Sequence, residues 1–162
     1  MAIYLKLDGV EGDITTKGFE KQIEVLSFSF GANRNIRTAS RRDTNRESAE
    51  PNLSEISLVK LWDATSSSKL FEEAVAGKLN HTATITFTTT SEGSVEKYLE
   101  IELTDTAISS FQMSDGGAER PSESVGLNFA KIQYRPFTVS SDKIAKAGKT
   151  VMYDMTKMSA KA

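Results

Sequence analysis

The 162-residue chain has no cysteine and a single histidine, His81. Without cysteine there are no disulfide bonds, no thiolate metal ligands and no cysteine nucleophiles. A lone histidine excludes a zinc site built from several imidazoles and a relay of two histidines. The sequence therefore points to no catalytic residue, no metal site and no cofactor, and we expect a protein that is not an enzyme.

An excess of one charge and long apolar runs are also missing. The 20 Lys and Arg residues nearly balance the 22 Asp and Glu residues, so bulk attraction to nucleic acid or to a membrane is not expected. No stretch approaches the roughly 20 apolar residues of a membrane helix. The N-terminus reaches Asp8 without the apolar run of a signal peptide. We therefore expect a cytoplasmic chain that, if it is secreted, leaves without a cleaved signal.

The titratable residues show no catalytic arrangement. Glu72 and Glu73 fall in a predicted helix, and Glu100 and Glu102 fall on the polar side of a predicted strand. Charged side chains are usually solvated, so we predict that both pairs are exposed. We also predict that His81 lies at the surface, because it has no second histidine or cysteine as a partner.

An alternation of apolar and polar residues with period two dominates the sequence. In residues 82–90 the apolar side chains alternate with threonine, which favours strands. Residues 95–103 repeat the pattern after a short turn that contains Gly93, and this predicts a β-hairpin. Further strands are predicted at residues 3–7, 22–30, 55–61, 107–113 and 124–139, the last with a bend near Ala130.

One segment has the pattern of a helix. Serines at 66–68 can cap its N-terminus, and Gly77 marks its end. The apolar residues between them recur at helical spacing, at Leu70, Phe71, Ala74 and Val75. With many strands and one short helix, we predict a mainly β fold. The architecture is a small antiparallel β-barrel or two-sheet sandwich with one short flanking α-helix, in a single domain over residues 1–162.

Residues 31–52 lack the alternation, which predicts an extended loop. A loop of this length in a compact domain is usually either functional or disordered. Five of the seven arginines of the chain lie in it: Arg34, Arg37, Arg41, Arg42 and Arg46. Three interpretations of this cluster stay open. It is an interface arm that pairs with carboxylates of a neighbouring subunit, a solvated loop, or an arm that binds nucleic-acid phosphates. Interleaved acidic residues and the absence of aromatic residues argue against the last. Residues 140–162 form a basic C-terminal tail.

Leu26, Phe28 and Phe30 alternate with Ser27 and Ser29. We expect the apolar side of this strand to be buried and the serine side to be exposed. Together with the threonines of the predicted hairpin, these serines give strand surfaces that are rich in hydroxyl groups and poor in charge. Such a surface is either the ordinary wet side of an antiparallel sheet or a smooth wall against which another molecule docks.

Four segments in a fixed order carry a resemblance to a known family. Residues 3–12 resemble the family's first strand and turn, and residues 23–31 resemble its aromatic–serine–aromatic–glycine strand. Residues 63–77 resemble its segment from an aspartate into the helix. Residues 123–132, ESVGLNFAKI, resemble its late strand and are the most specific stretch. The chain thus resembles, over nearly its whole length, the haemolysin-coregulated protein (Hcp) family, the tube subunits of bacterial type VI secretion.

The resemblance implies a small β-barrel subunit that forms hexameric rings, which stack into a hollow tube propelled by a contractile sheath, as in contractile phage tails. It implies that effectors are carried inside the ring, that a spike protein sits at the tube tip, and that the subunit is secreted without a signal peptide. On this resemblance the five arginines are candidates for a contact arm between rings or subunits. Ser27 and Ser29 are candidates for the lumen face that binds effectors. No nucleic-acid binding and no stable membrane insertion are expected.

The chain also departs from the family pattern. Phe28 and Phe30 stand where the family often has tryptophan, and Met158 stands near a position that is often asparagine. The sequence resembles a plain tube subunit and not one fused to a toxin. Two other functions stay open from the residues alone. One is a standalone β-barrel that binds a small ligand in its interior, and the other is a nucleic-acid binder that acts through its arginine arm.

Overall fold

The computed structural model describes residues 1–37, 47–91, 93–117, 120–138 and 146–161. The strands are β1 Ala2–Leu7, β2 Ile23–Val25, β3 Ser27–Ser29, β4 Ala32–Arg37, β5 Glu47–Leu53, β6 Ile56–Leu61, β7 His81–Ser91, β8 Ser94–Ser114, β9 Ser122–Asn128, β10 Lys131–Thr138, β11 Lys146–Ala147, β12 Val151–Asp154 and β13 Ser159–Lys161; the helix α1 spans Ser67–Ala76. The predicted mainly β class with one short helix is confirmed. In this described part of the chain, no helix is long and apolar enough to cross a membrane.

Two antiparallel sheets share strand β8. The strand order of the first sheet is β13-β12-β10-β8-β7-β1-β2, and that of the second is β3-β6-β9-β8. The N-terminal part of β8 pairs with β7 and β10, whereas the part from Ala107 onward pairs with β9. At the opposite side, β2 and β3 lie on either side of Leu26 and connect the two sheets. Both sheets therefore enclose one core.

Apolar side chains from both sheets fill the space between them. Alternate residues of a strand face opposite sides, so each strand contributes every second side chain to this core. The most deeply buried are Ile23, Ile56, Leu58, Ile85, Ile101, Leu103, Val125 and Leu127. β7 and β8 form the predicted hairpin, and Gly93 in its turn has a φ of +82°, which glycine adopts without steric cost.

Three predicted strands are divided differently in the structure. The segment 22–30, predicted as one strand, is β2 and β3, which pair with β1 and β6 respectively. The break between them leaves Leu26 55% exposed, so the prediction that Leu26 is buried is wrong. The predicted strand 124–139 is β9 and β10, and the expected change of phase falls at residues 129–130. The segment 107–113 belongs to the continuous strand β8.

The prediction of a loop over residues 31–52 is wrong for its described part. β4 and β5 pair as an antiparallel two-stranded ribbon. Residues 32–36 and 50–52 are exposed on both sides of the ribbon, so no buried face imposes an apolar alternation on the sequence. In the basic C-terminal tail, for which the sequence predicts no strand, β12 pairs with β10 and β13 pairs with β12, which extends the first sheet.

A buried ionic cluster joins α1 to the second sheet. The Nζ atom of Lys60 on β6 lies 2.8 Å from Oε2 of Glu123 on β9 and 2.9 Å from Oδ2 of Asp63. Lys60 Nζ also donates to Ser67 Oγ in the first turn of α1, and Ser67 Oγ donates to Glu123 Oε2 at 2.8 Å. Buried charges persist when they are paired and hydrogen-bonded in this way. The cluster therefore fixes where the helix begins relative to two strands.

Asp63 caps the turn that leads into α1. Its Oδ1 atom accepts hydrogen bonds from the backbone N–H groups of Thr65 at 2.9 Å and Ser66 at 2.6 Å. Burial opposes ionisation, but the hydrogen bonds from Ser66 and the charge of Lys60 hold the pKa of Asp63 below its ordinary value of 3.8. Ser66 occupies the N-cap position of α1 as predicted, but its side chain makes no capping hydrogen bond. The bonds of Asp63 instead cap the turn of residues 64–66 that leads into the helix.

The C-terminal end of α1 is held by Glu73 and His81, two residues whose predicted exposure is wrong. Their side chains are only 12% and 11% exposed, and His81 Nε2 lies 2.9 Å from Glu73 Oε2. Burial opposes ionisation of Glu73, but its hydrogen bonds with His81 and with the backbone N–H of Lys78 lower its pKa. Gly77 ends the helix as predicted, and a Cβ atom at Gly77 would collide with the backbone carbonyl of Glu73.

The outer side of the first sheet is more covered than the sequence predicts. Thr86 and Thr88 are buried, although the threonine row was expected to face water. The carboxylate of Glu100 is 13% exposed and lies 2.8 Å from Lys97 Nζ and 2.6 Å from Arg135 Nη1. Thr88 Oγ1 donates a hydrogen bond to the backbone carbonyl of Ala2 at 3.0 Å, and Thr86 lies between its cross-strand partners Tyr4 and Glu100.

Removing the charge of Lys60 is expected to cost more stability than removing that of Glu123. Lys60→Met leaves two buried carboxylates without a cation, and the loss of one partner from a buried pair costs about 3–5 kcal/mol. Glu123→Gln leaves Lys60 paired with Asp63, so the expected loss is about 1–2 kcal/mol. Urea denaturation of both variants measures the free energies of unfolding. Equal losses would contradict this description of the cluster.

Glu73 is expected to make stability depend on acid pH. Because its folded pKa is lowered, its contribution is present above the ordinary pKa of 4.5 and is lost as the pH falls through the folded value. Glu73→Gln should cost about 1 kcal/mol at neutral pH and flatten the fall in stability in acid. Glu72→Gln, 63% exposed on the same helix, is the matched control. A pH series of denaturation curves in which Glu73→Gln keeps the wild-type slope would refute this role.

Candidate functional site

The outer face of the second sheet is rich in serine. Paired residues of an antiparallel sheet point to the same side, and the register places Ser29, Ser57, Gly126 and Ser110 in one row across four strands. The neighbouring rows add further serines. We name this surface the serine face, and it comprises Ser27, Ser29, Ser57, Val59, Leu61, Ser110, Gln112, Ser114, Ser122, Ser124 and Gly126.

The residues named for the serine face include no charged side chain. Exposed strands usually carry charges such as lysine, which discourage unwanted association. Hydroxyl groups both donate and accept hydrogen bonds, so this face can contact polypeptide without selecting for charge. A carboxylate stands at one end, where Glu55 accepts hydrogen bonds from Ser109 Oγ at 2.8 Å and from Asn128 Nδ2 at 3.1 Å. A Cβ atom at Gly126 would collide with Ser110 Oγ, so the face is also flat at its centre.

The structure places Ser27 and Ser29, the two lumen candidates of the sequence, on this face and exposes both. Phe28 between them points to the core side and packs edge-on against Phe87. The other serines of the face were not identified from the sequence. They lie on strands that are far apart along the chain, and only the register of β3, β6 and β9 brings them together.

The serine face ends at two strand edges that are unpaired within the described ranges. β3 pairs with β6 alone, and β8 from Ala107 onward pairs with β9 alone. An unpaired edge presents free N–H and C=O groups and is a template for pairing with another chain. The face can therefore be continued on either side by further strands.

The arginine-rich ribbon follows β3 directly. Its base is closed by Gly31 and Ser54, whose backbone and side-chain groups exchange hydrogen bonds of 2.8–3.1 Å. Arg34 is exposed on β4, and the backbone of Arg37 belongs to the same strand. Arg41, Arg42 and Arg46 lie outside the described residues, so the structure does not place them. A two-stranded ribbon is marginally stable alone, and contact with a partner would stabilise it.

An apolar groove of about 380 Å³ lies where the ribbon meets the first sheet. We name it the apolar groove, and it is lined by Phe30, Ala32, Pro51, Leu53, Ile132, Tyr134, Val151 and Tyr153. Beside it, Asp154 ends β12. Hydrogen bonds from Thr156 lower the pKa of Asp154 against the opposing effect of burial, and Lys131 Nζ lies 3.8 Å away. The groove was not predicted from the sequence, because β12 lies in the C-terminal tail, where no strand was predicted.

The described part of the chain shows no cluster of three or more His, Asp or Glu residues that could hold a metal ion. The carboxyl groups with a lowered pKa, Asp63, Glu73 and Asp154, are all engaged in structural pairs or caps. The arrangement as a whole offers surfaces for association: an uncharged face, two strand edges, a basic ribbon and an apolar groove.

Solved structures share this fold over nearly the whole chain. A protein described as a type six secretion system protein has 26% sequence identity and a TM-score of 0.89, and the alignment covers 99% of each chain. Hcp1 of Salmonella typhimurium has 18% identity and a TM-score of 0.72, with 96% of this chain and 95% of that chain covered. A type VI secretion system effector of Yersinia pestis has 20% identity and a TM-score of 0.68, with 94% and 98% covered.

The sequence comparisons agree with the structural ones. A search of curated proteins finds no match. The profile of the family described as type VI secretion system effector, Hcp, matches residues 4–135, which include every strand of the second sheet and all of α1. The predicted family resemblance is thereby confirmed, and the chain belongs to the Hcp family of type VI secretion proteins.

Proposed function

We propose that the chain is the structural tube subunit of a type VI secretion system and assembles as hexameric rings that stack into a hollow tube. The observation that carries this proposal is the four-stranded second sheet with two unpaired edges, β3 and the end of β8. Side-by-side pairing of these edges covers the exposed backbone groups of each copy. Because the two edges differ, the contact is head-to-tail, and such contacts close into a ring when the rotation closes. The number six comes from the family.

In this ring the serine face lines the lumen and contacts effectors. Support comes from its position between the two edges, since edge pairing would join the serine faces of successive copies into one wall. An uncharged, hydroxyl-rich wall suits guests of either charge, because it has no charged side chains that would repel a guest of the same sign. Ser27 and Ser29 stand at the β3 edge of this wall.

The arginine ribbon is the contact arm of the assembly. Arginine forms bidentate hydrogen bonds with carboxylates, and this gives a contact both strength and geometry. Arg34, Arg37, Arg41, Arg42 and Arg46 are the residues proposed for it, toward carboxylates of a neighbouring ring or subunit. The other partners proposed are the sheath around the tube and the spike protein at its tip. The subunit is secreted with the tube and performs no catalysis.

Replacing Arg41, Arg42 and Arg46 together with alanine should shorten tubes while rings persist. The variant loses three positive charges but none of the described core contacts. The control replaces Lys17, Lys78 and Lys157, all exposed, and removes the same charge elsewhere. Tube length is measured by negative-stain microscopy and ring mass by light scattering. Tubes of wild-type length from the arginine variant would exclude the arm from stacking.

Ser29→Glu should reduce effector retention at least tenfold and leave the ring intact. The substitution places one charge per subunit on the serine face, so a guest has to desolvate it. Thr90→Glu puts the same charge on an exposed threonine of the first sheet and is the control. The measurement is the amount of a co-expressed type VI effector that copurifies with rings. Equal retention by both variants would remove the serine face from cargo binding.

A further inference from the structure

We infer that neighbouring copies in the ring are held together by a ridge of α1 on one copy that inserts into the apolar groove of the next. This inference rests on the proposed assembly of the chain into rings, and it names the side chains of the contact. The occupant of the groove is a second copy of this chain.

The ridge consists of apolar side chains that the fold leaves uncovered. Phe71 and Val75, one turn apart on α1, are 54% and 67% exposed, although the sequence pattern predicts them in the buried stripe with Leu70. Phe71 stacks edge-on against Phe111 of β8 with ring centroids 5.7 Å apart. Met113, two residues further along the same side of β8, is 61% exposed. We name Phe71, Val75 and Met113 the apolar ridge. Exposed apolar groups that cluster in this way mark an interaction site.

The groove and the ridge lie at opposite edges of the second sheet, on the same side of it. Phe111 belongs to the unpaired end of β8 and faces away from the serine face, since it pairs with the buried Val125. Phe30 follows the other unpaired edge, β3, and shares the core side with Phe28 by alternation. When the β8 edge of one copy meets the β3 edge of the next with their serine faces continuous, the ridge and the groove fall on the same side of the seam. The contact is thus continuous with the proposed edge pairing.

Charge at the rims of the two surfaces is complementary. Arg34 lies on the same side of the ribbon as Ala32 of the groove, because the two residues are separated by one position on β4. Glu72 lies next to Phe71 on the ridge, pairs with Lys69 of the same helix at 2.8 Å and is still 63% exposed, so it can accept a second cation. Seating the ridge in the groove brings the guanidinium of one copy toward the carboxylate of the other. Opposite charges at an interface rim guide orientation and speed association.

Each copy carries one ridge and one groove, so the contact is heterologous and repeats around a closed ring. This predicts a mixing experiment with two variants. The ridge variant, Phe71→Asp with Val75→Asp, keeps its groove. The groove variant, Ala32→Asp with Val151→Asp, keeps its ridge. All four positions are exposed, so both variants are expected to fold. Ala76→Asp, exposed on the same helix beside the ridge, is the matched control.

Each variant alone should be monomeric under conditions where the wild type and Ala76→Asp form rings, because each charged substitution weakens every subunit contact by about thirtyfold or more. Circular dichroism confirms the fold of both. An equal mixture should form heterodimers and no rings, because one intact ridge meets one intact groove. Analytical ultracentrifugation measures all of these species. Rings from either variant alone, or two folded variants that stay monomeric when mixed, would overturn the ridge-and-groove contact while wild-type rings still support the proposed assembly.

A charge exchange tests the rim pair separately. Arg34→Glu and Glu72→Arg should each lower the salt concentration at which rings dissociate. The two substitutions together in one chain should restore at least part of the wild-type value. The midpoint of ring dissociation in a salt titration is the readout. A double variant no more stable than the weaker single variant would overturn the pairing of Arg34 with Glu72 of the neighbouring copy. A wild-type chain that is monomeric at every concentration would instead refute the proposed assembly itself.

Discussion

The buried pairing of Lys60 with Glu123 and Asp63 is the constraint on which the rest of the structure depends. It joins β6, β9 and the start of α1 in a place where an unpaired charge would be costly. Asp63 both pairs with Lys60 and caps the turn that leads into α1, so the position of the helix follows from the position of the strands. Glu73 and His81 fix the other end of the helix at the start of β7. A short helix that is marginal alone is thus held at both ends by polar contacts.

Because α1 packs on one side of the second sheet, the two sides of this sheet have different surfaces. The side toward the core and α1 is apolar and extends, at its uncovered end, into the apolar ridge. The other side is the serine face, where the one carboxylate described above, Glu55, stands at the end. Between them lie the unpaired edges of β3 and β8. One arrangement, in which the helix packs on one side of the sheet and leaves the other side free, therefore underlies all three proposed contacts. These are the pairing of strand edges, the wall of the lumen and the insertion of the ridge into the groove.

The sequence predicted the elements whose residues alternate around a buried face, and it missed those that have none. β7 and the first part of β8 were predicted because one side of each is core. β4 and β5 were not, since both sides of the ribbon are exposed and its pairing is made by backbone groups.

Phe71 shows the opposite error: its spacing matches a buried stripe, but the helix has more apolar residues than the sheet covers. Ser27 and Ser29 were identified by alternation, whereas Ser57 and Ser110 join them only through strand register. The family was recognised from residues 123–132 and three other segments, because the order and spacing of four motifs are specific even where single residues differ from the family pattern.

The native mass of the purified chain, measured by light scattering over a range of concentrations, tests the central claim most directly. The account predicts a closed ring near six subunits that persists on dilution, with a central hole visible in negative-stain images of the same sample. A clean monomer at all concentrations would contradict it. The serine face and the strand edges would then have no partner copy, and the fold would stand without the proposed function.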